Sequence, residues 1–332
     1  MSDLDFLKGL VGAVSVSGTE AGAIDYLEKC FKDISFETRR NNLGDLVALN
    51  YSEGNADIMF DSHIDQIGFV VTEVLEKGFL KVEGVGSPDK RSLEGKRVVV
   101  FGEKPIEGVI SSIPYHLSKG NELREITELF VDTGLSELTG KVSVGSRVGF
   151  SPQVLELGGE RVAAAGLDNK ISALALYKAA KGLSKTNKKV AFAFSSREEV
   201  GLAGAGPLCS LVMPKTAVVV DVSFGFTGAG NKRECGEMGK GAMIGFSPML
   251  DDELSKSAEE ICIKNEIPYQ KEIMNSRTGT NADVITKSGS GVKTITVSIP
   301  LFGMHTALEV VSLSDVEAVS SLLIKMAEEE EK

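Results

Sequence analysis

Only three histidines, His63, His116 and His305, occur in this chain of 332 residues, against 47 Asp and Glu. Two of them stand beside apolar runs in acidic company. His63 lies in Met59-Phe60-Asp61-Ser62-His63-Ile64-Asp65-Gln66-Ile67-Gly68, just past a short apolar strand. Side chains two positions apart on extended chain share a face. Asp65 is therefore placed to accept the second ring N–H of His63 and set its tautomer, as carboxylates do behind metal-bound imidazoles. Asp168 precedes a helix in Ala165-Gly166-Leu167-Asp168-Asn169-Lys170. Its commonplace role there is an N-cap, and the alternative is a carboxylate bridging two cations. Glu198 and Glu199 end an apolar strand and enter a glycine-rich turn. One reading is an acidic helix start favoured by the helix dipole. The other uses their divergent directions, one carboxylate binding metal while its neighbour faces water. Asp221 is embedded in Val218-Val219-Val220-Asp221-Val222, where an unpaired buried carboxylate is costly without a cation or a hydrogen-bonding cap. His305 follows the apolar stretch 292–299.

Singly, each of these is an ordinary structural residue. As a set they form the inventory of a co-catalytic pair of divalent ions: one His and one terminal carboxylate for each, a shared Asp, a shared water and a spare Glu to take its proton. Zinc and cobalt accept such mixed nitrogen and oxygen donors. A serine-hydrolase reading fares worse, because G-x-S-x-G is absent.

The elements that must position these residues alternate. Apolar spacing predicts a helix over 21–31 and short strands over 46–50 and 58–60. From 72 to 160 helical periodicity fades, and short β runs at 79–83, 97–101, 106–110 and 142–148 sit between Gly and Pro, reading as a small barrel-like or sandwich-like β domain. Residues 119–130 are polar and read as helical or loop. The α/β rhythm then returns, with a helix over 169–183, strands at 189–194 and 216–222, a helix over 251–265 and a strand over 292–299. The last helix is predicted to open on the capping-box spacing of Ser314 and Glu317, with Val316, Val319, Leu322, Leu323 and Met326 as its buried stripe; 328–331 reads as a solvated tail. The glycine-rich stretch 225–241 fits no phosphate-loop pattern and reads as a flexible loop. The fold class expected is α/β, a mainly parallel mixed sheet with helices on both faces. It forms one catalytic domain, 1–71 and 161–332, interrupted by a β domain over 72–160. His63 and Asp168 stand 105 positions apart, which leaves room for that insert.

Composition narrows the partners. Lys and Arg total 36, giving a net charge of −11, which argues against nucleic acid. No apolar run approaches a membrane span, and the acidic first residues lack a secretory leader, so cytoplasm is expected. The four cysteines are widely spaced and read as idle thiols rather than a zinc knuckle or disulfide framework. His116, in the β insert, reads as surface or interface.

The ordered set resembles the glutamyl-aminopeptidase family of dinuclear metalloaminopeptidases, the group that includes the tetrahedral aminopeptidases. The resemblance spans nearly the whole chain: Val16-Ser17-Gly18-Thr19-Glu20, Asn42-Leu43-Gly44-Asp45-Leu46-Val47, His63-Ile64-Asp65, Leu167-Asp168-Asn169-Lys170, Glu198-Glu199-Val200-Gly201, Asp221, Thr278-Gly279-Thr280-Asn281-Ala282, Ser298-Ile299-Pro300 and His305-Thr306-Ala307-Leu308-Glu309-Val310. It implies that His63, Asp168, Glu199, Asp221 and His305 ligate two divalent ions, with Asp168 bridging them. Glu198 would then be the general base and Asp65 the partner of His63. It further implies hydrolysis of N-terminal residues from short peptides, and a homo-oligomer, often a dodecamer, that the β domain helps to build. Several residues depart from the family pattern: Gln66 for Glu, Lys170 for Arg, Arg197 for an uncharged residue, Asn281 for Asp, Phe302-Gly303-Met304 for an Arg-Tyr run and Ala307 for Pro. These departures are expected to cluster on the substrate side. Other readings of the same residues are an N-acyl amino acid or peptide deacylase, a glycosidase resting on Glu198 and Glu199, and a metal-stabilised scaffold without activity. The glycosidase is disfavoured by the absence of Trp and by the wider carboxylate spacing that sugar hydrolysis needs.

Overall fold

The computed structural model describes residues 1–117, 123–138, 140–183, 186–226 and 235–329. At its centre lie four parallel strands in the order Val190–Ser195, Ile58–His63, Thr216–Phe226 and Lys293–Phe302. Antiparallel strands extend both edges, ending at Glu37–Arg40 on one side and Leu155–Leu157 on the other. The α/β class read from the sequence is therefore observed. The alternation along each strand explains the two covered faces. Phe60, Phe192, Phe194, Val218 and Val220 pack toward the helices Asp3–Gly12, Ala21–Asp33, Leu167–Gly182 and Leu313–Glu328. Met59, Ala191, Ala193, Ala217 and Val219 face the helices Ala205–Val212 and Ala282–Ile285. Both sets are almost fully buried, which is why these strands read as continuous apolar runs.

The interrupting unit is a closed six-stranded barrel. Its strands follow the order Gly68–Val74, Phe79–Val85, Phe130–Asp132, Pro105–Ser111, Arg97–Phe101 and Arg147–Phe150. Phe69, Leu80, Val82, Val98, Val100, Ile110, Val131 and Val148 fill its interior, the inward half of an alternating pattern. The first barrel strand thus starts at Gly68, and Leu155–Leu157 pairs with the main sheet.

Three local expectations need correction. The strand expected over 142–148 is Arg147–Phe150, because 142–146 turns through Gly145 at φ +92°. The last helix begins at Leu313, not after Ser314. Its N-cap is Ser312, which makes no side-chain cap, since the chain enters the helix straight from the strand Glu309–Ser312. Gly225 and Phe226 end a long strand and pair with Gly236 and Glu237 rather than forming loop; 227–234 lie outside the described residues. In 119–130, read as helical or loop, the described part agrees, with a single helical turn, Ile126–Glu128, before a strand begins at Phe130; 119–122 are not described. The tail read over 328–331 lies partly outside the described residues. All four cysteines are free thiols, His116 is exposed, and no helix among the described residues is long and apolar enough to cross a membrane.

Candidate active site

The carboxyl ends of the parallel strands open into a crevice of about 1310 Å³ lined by His63, Asp168, Glu198, Glu199, Asp221 and His305, where such sheets place their ligands. His63 is the last residue of its strand. Asp221 lies within Thr216–Phe226, the Glu pair just beyond Val190–Ser195, and His305 just beyond Lys293–Phe302. Asp168 stands at the head of Leu167–Gly182 in non-helical backbone, φ −73° and ψ 101°. That backbone turns its carboxylate into the crevice, and the N-cap of this helix is Gly166.

The side chains converge as two groups that share Asp168: His63, Asp168 and Asp221, and Asp168, Glu199 and His305. His63 Nε2 lies 3.2 Å from Asp168 Oδ1 and 3.6 Å from Asp221 Oδ1. His305 Nε2 lies 3.6 Å from Asp168 Oδ2 and 3.4 Å from Glu199 Oε2. The two imidazoles therefore face different oxygens of one carboxylate. Donors bound at about 2.1 Å in a tetrahedron stand about 3.4 Å apart, and all four separations fall around that value. The donor set and its spacing fit two divalent cations.

Crowding of carboxylates governs the electrostatics. Burial, then the facing Asp221 and Asp168, pushes Glu198 up to about 8. Burial, then Asp168, pushes Glu199 up to about 10. Asp221 is also raised, by burial first. Burial opposes a charged His63, but Glu198 and its carboxylate partners Asp168, Asp221 and Asp65 outweigh it and hold the imidazole well above its usual value. Such clusters of perturbed groups in a cleft mark functional sites, and a cation is what would relieve this one.

Asp65 does more than face His63. The ring Nδ1 is 3.1 Å from the Asp65 carbonyl oxygen and 3.5 Å from its carboxylate. The carboxylate accepts from Ser17 Oγ at 2.6 Å and from the backbone N–H groups of Glu198 at 3.0 Å and Glu199 at 3.3 Å. Burial pushes Asp65 up, yet His63, Ser17 and the Glu198 N–H together hold it below the usual range. One buried residue thus orients the imidazole and the acidic turn together.

Two supporting carboxylates escaped the sequence reading. Glu309 is fully buried; its oxygens accept from the N–H of Asp168 at 3.0 Å and of His305 at 2.9 Å. Asp61 is also fully buried and pushed up to about 7 by burial, with Asn281 Nδ2 donating to it at 2.9 Å. The signal for both was a carboxylate beside an apolar strand, the same one that drew attention to Asp221. The barrel contributes too. Ser87 O lies 3.0 Å from His305 Nδ1, and Asp89 N–H donates to His305 O at 2.9 Å.

The expectation that the departures gather on the substrate side fails for three of them. Gln66, Lys170 and Asn281 are at most 2% exposed. Lys170 Nζ donates to Gln66 Oε1 at 2.6 Å, so two departures meet each other in the interior, and burial lowers Lys170 to about 7. Phe302 does line the crevice.

This architecture is shared with solved aminopeptidases. One is the aminopeptidase APDkam598 from the archaeon Desulfurococcus kamchatkensis, with a TM-score of 0.92 at 28% identity over 99% of this chain and 95% of that one. Another is the TET1 peptidase of Pyrococcus horikoshii, which assembles into a tetrahedron or a large octahedral shell, with a TM-score of 0.88 at 28% identity over 99% and 100%. Among curated sequences, a lysyl aminopeptidase of Pyrococcus furiosus is 29% identical over 99% of this chain and 98% of its own length. The molecule is a hydrolase of the aminopeptidase class. More narrowly, residues 44–322 match the model for M42 glutamyl aminopeptidases, and the chain belongs to that family.

Proposed function

We propose that the chain removes N-terminal residues from short peptides with two divalent cations, one held by His63, Asp168 and Asp221 and the other by Asp168, Glu199 and His305. The observation that carries this reading is that the two oxygens of Asp168 face imidazoles from opposite ends of the chain. Nitrogen and oxygen donors of this kind suit zinc or cobalt. When bound, such a pair would polarise the scissile carbonyl and acidify the attacking water.

Glu198 is the proton carrier. Its carboxylate takes a proton from the attacking water and gives it to the nitrogen of the leaving peptide. Asp65 holds the Glu198 and Glu199 backbone and the His63 ring in one arrangement. Glu309 does the same for the backbone of Asp168 and His305. In this reading 1–71 and 161–332 carry catalysis. The insert 72–160 controls access and assembly, consistent with its reach to His305 through Ser87 and Asp89.

The likeness to an assembling peptidase supports a homo-oligomer. Twelve chains of 35.3 kDa would have a mass of about 424 kDa, which light scattering measures directly. The catalytic test is Glu198→Gln. Turnover of an aminoacyl p-nitroanilide should fall roughly 10²–10⁴-fold, with the content of zinc or cobalt by elemental analysis unchanged. Full activity in that variant, or wild-type protein that ignores a chelator, refutes the mechanism. Hydrolysis of N-acyl amino acids in place of aminoacyl substrates would instead identify a deacylase.

A further inference from the structure

Glu272 is a carboxylate in the crevice that the chemistry above does not use. It lies on the strand Tyr269–Ile273, which pairs with Ala242–Phe246, which in turn pairs with Lys293–Phe302 beside the strand of Asp221. Asp221 and Ser298 are register partners, and Ser298 Oγ donates to Glu272 Oε2 at 2.7 Å. Ser223, two residues past Asp221, donates to the other oxygen. Glu272 is thus held by hydroxyls at both oxygens and sits one hydroxyl away from the strands that carry Asp221 and lead to His305.

Among the described residues no cationic side chain pairs with it. The other cations lining the crevice are engaged elsewhere or face bulk solvent. Arg91 forks onto Asp89. Lys271 pairs with Glu259 at 2.8 Å and lies over the Phe246 ring. Arg277 stands exposed in the turn after the strand, where salt screens it. Three large apolar side chains line the same crevice and remain open to solvent: Phe224 at 59%, Ile273 at 76% and Phe302 at 46% exposed.

Apolar walls with an unneutralised, hydroxyl-held carboxylate are complementary to a long aliphatic stem that ends in a cation. Building on the aminopeptidase reading, we infer that Glu272 recognises the side chain of the substrate's N-terminal residue and that this residue is Lys or Arg. Phe302, on the same face of its strand as Ser298, borders the stem, and the ammonium or guanidinium takes the place that no cation among the described residues fills.

The test compares kcat/KM for Lys-, Arg-, Leu- and Glu-p-nitroanilide on the metal-loaded protein, for wild type, Glu272→Gln and Glu272→Lys. Wild type should favour Lys and Arg over Leu by roughly 10-fold or more, as expected for a charge-assisted contact. Glu272→Gln should shrink the Lys:Leu ratio by a similar factor, and Glu272→Lys should turn the Lys:Glu preference toward Glu. A wild type that favours Leu or Glu, or a Lys:Leu ratio that Glu272→Gln leaves unchanged, overturns this assignment while leaving the aminopeptidase reading intact. Hydrolysis of none of the four by wild type refutes that reading and this assignment with it.

Discussion

Replacing Glu309 by Ala tests whether the site is held from behind. The fully buried carboxylate accepts the N–H of Asp168 with one oxygen and the N–H of His305 with the other. Truncation leaves the buried N–H of Asp168 and the part-buried N–H of His305 without a partner; at about 1–3 kcal/mol for a buried donor and less for one that water can reach, a loss of roughly 1–4 kcal/mol is expected. Glu309→Gln keeps one acceptor and turns an amide N–H toward the other donor, and about half of that loss should remain. His305 has a left-handed backbone, φ +62°, which costs a residue other than Gly about 1–3 kcal/mol. Once its N–H is released, the 303–307 turn can relax and carry the imidazole away from Asp168. On the proposed two-cation site, the cation assigned to His305 and Glu199 should therefore be lost before the one assigned to His63 and Asp221. Denaturant unfolding of the metal-loaded protein gives the stability. Elemental analysis after dialysis gives the metal content, expected to fall from two ions toward one, and kcat/KM falls with it. A Glu309→Ala protein within about 0.5 kcal/mol of wild type, with both ions and full activity, would show that these backbone bonds hold nothing.

Two further outcomes follow from the same geometry. In the metal-free protein Glu198 and Glu199 are raised from 4.5 to about 8 and about 10, so the folded state binds more protons than the unfolded one across that interval. These groups make stability fall as pH rises from about 5 toward 10, and the raised His63 acts in the same direction, its stabilisation being lost as pH climbs through its folded value; Lys170, lowered to about 7, acts in the opposite direction, and the net slope is expected to be downward. Thermal unfolding in chelator should show this slope and saturating zinc should flatten it, whereas a metal-free protein that gains stability with pH would contradict the proposed crowding. Asn281→Ala removes the amide that donates to Asp61 at 2.9 Å and to Ser195 at 2.8 Å; a loss of roughly 1–3 kcal/mol is expected, read by chemical denaturation, and an unchanged midpoint would mean that the network is not maintained in solution.

The four central strands were legible because they are buried on both faces, so their apolar runs have no competing explanation once helices flank them. The barrel strands at 79–85 and 97–101 were legible from β-rich runs bounded by Gly and Pro. The start of the last helix was not, because the Ser314-to-Glu317 spacing permits a capping box but cannot say that the preceding strand already delivers the chain in helical register at Leu313. Nor was the pairing of Gly225 and Phe226 with Gly236 and Glu237, since glycine content reports conformational freedom and not whether a neighbouring strand edge is open.

The sequence by itself determined the chemistry available: scarce imidazoles and carboxylates at the ends of apolar strands, in an order that matches one family. Those properties are local, set by residue type and by spacing along a strand. Only the tertiary structure decided which oxygen of Asp168 meets which imidazole, that Glu309 ties Asp168 to His305, that Lys170 and Gln66 answer each other inside the core, and that Glu272 meets no cation among the described residues. Each depends on side chains brought together across long stretches of chain, and such contacts are settled by sheet order and register, which no local pattern encodes.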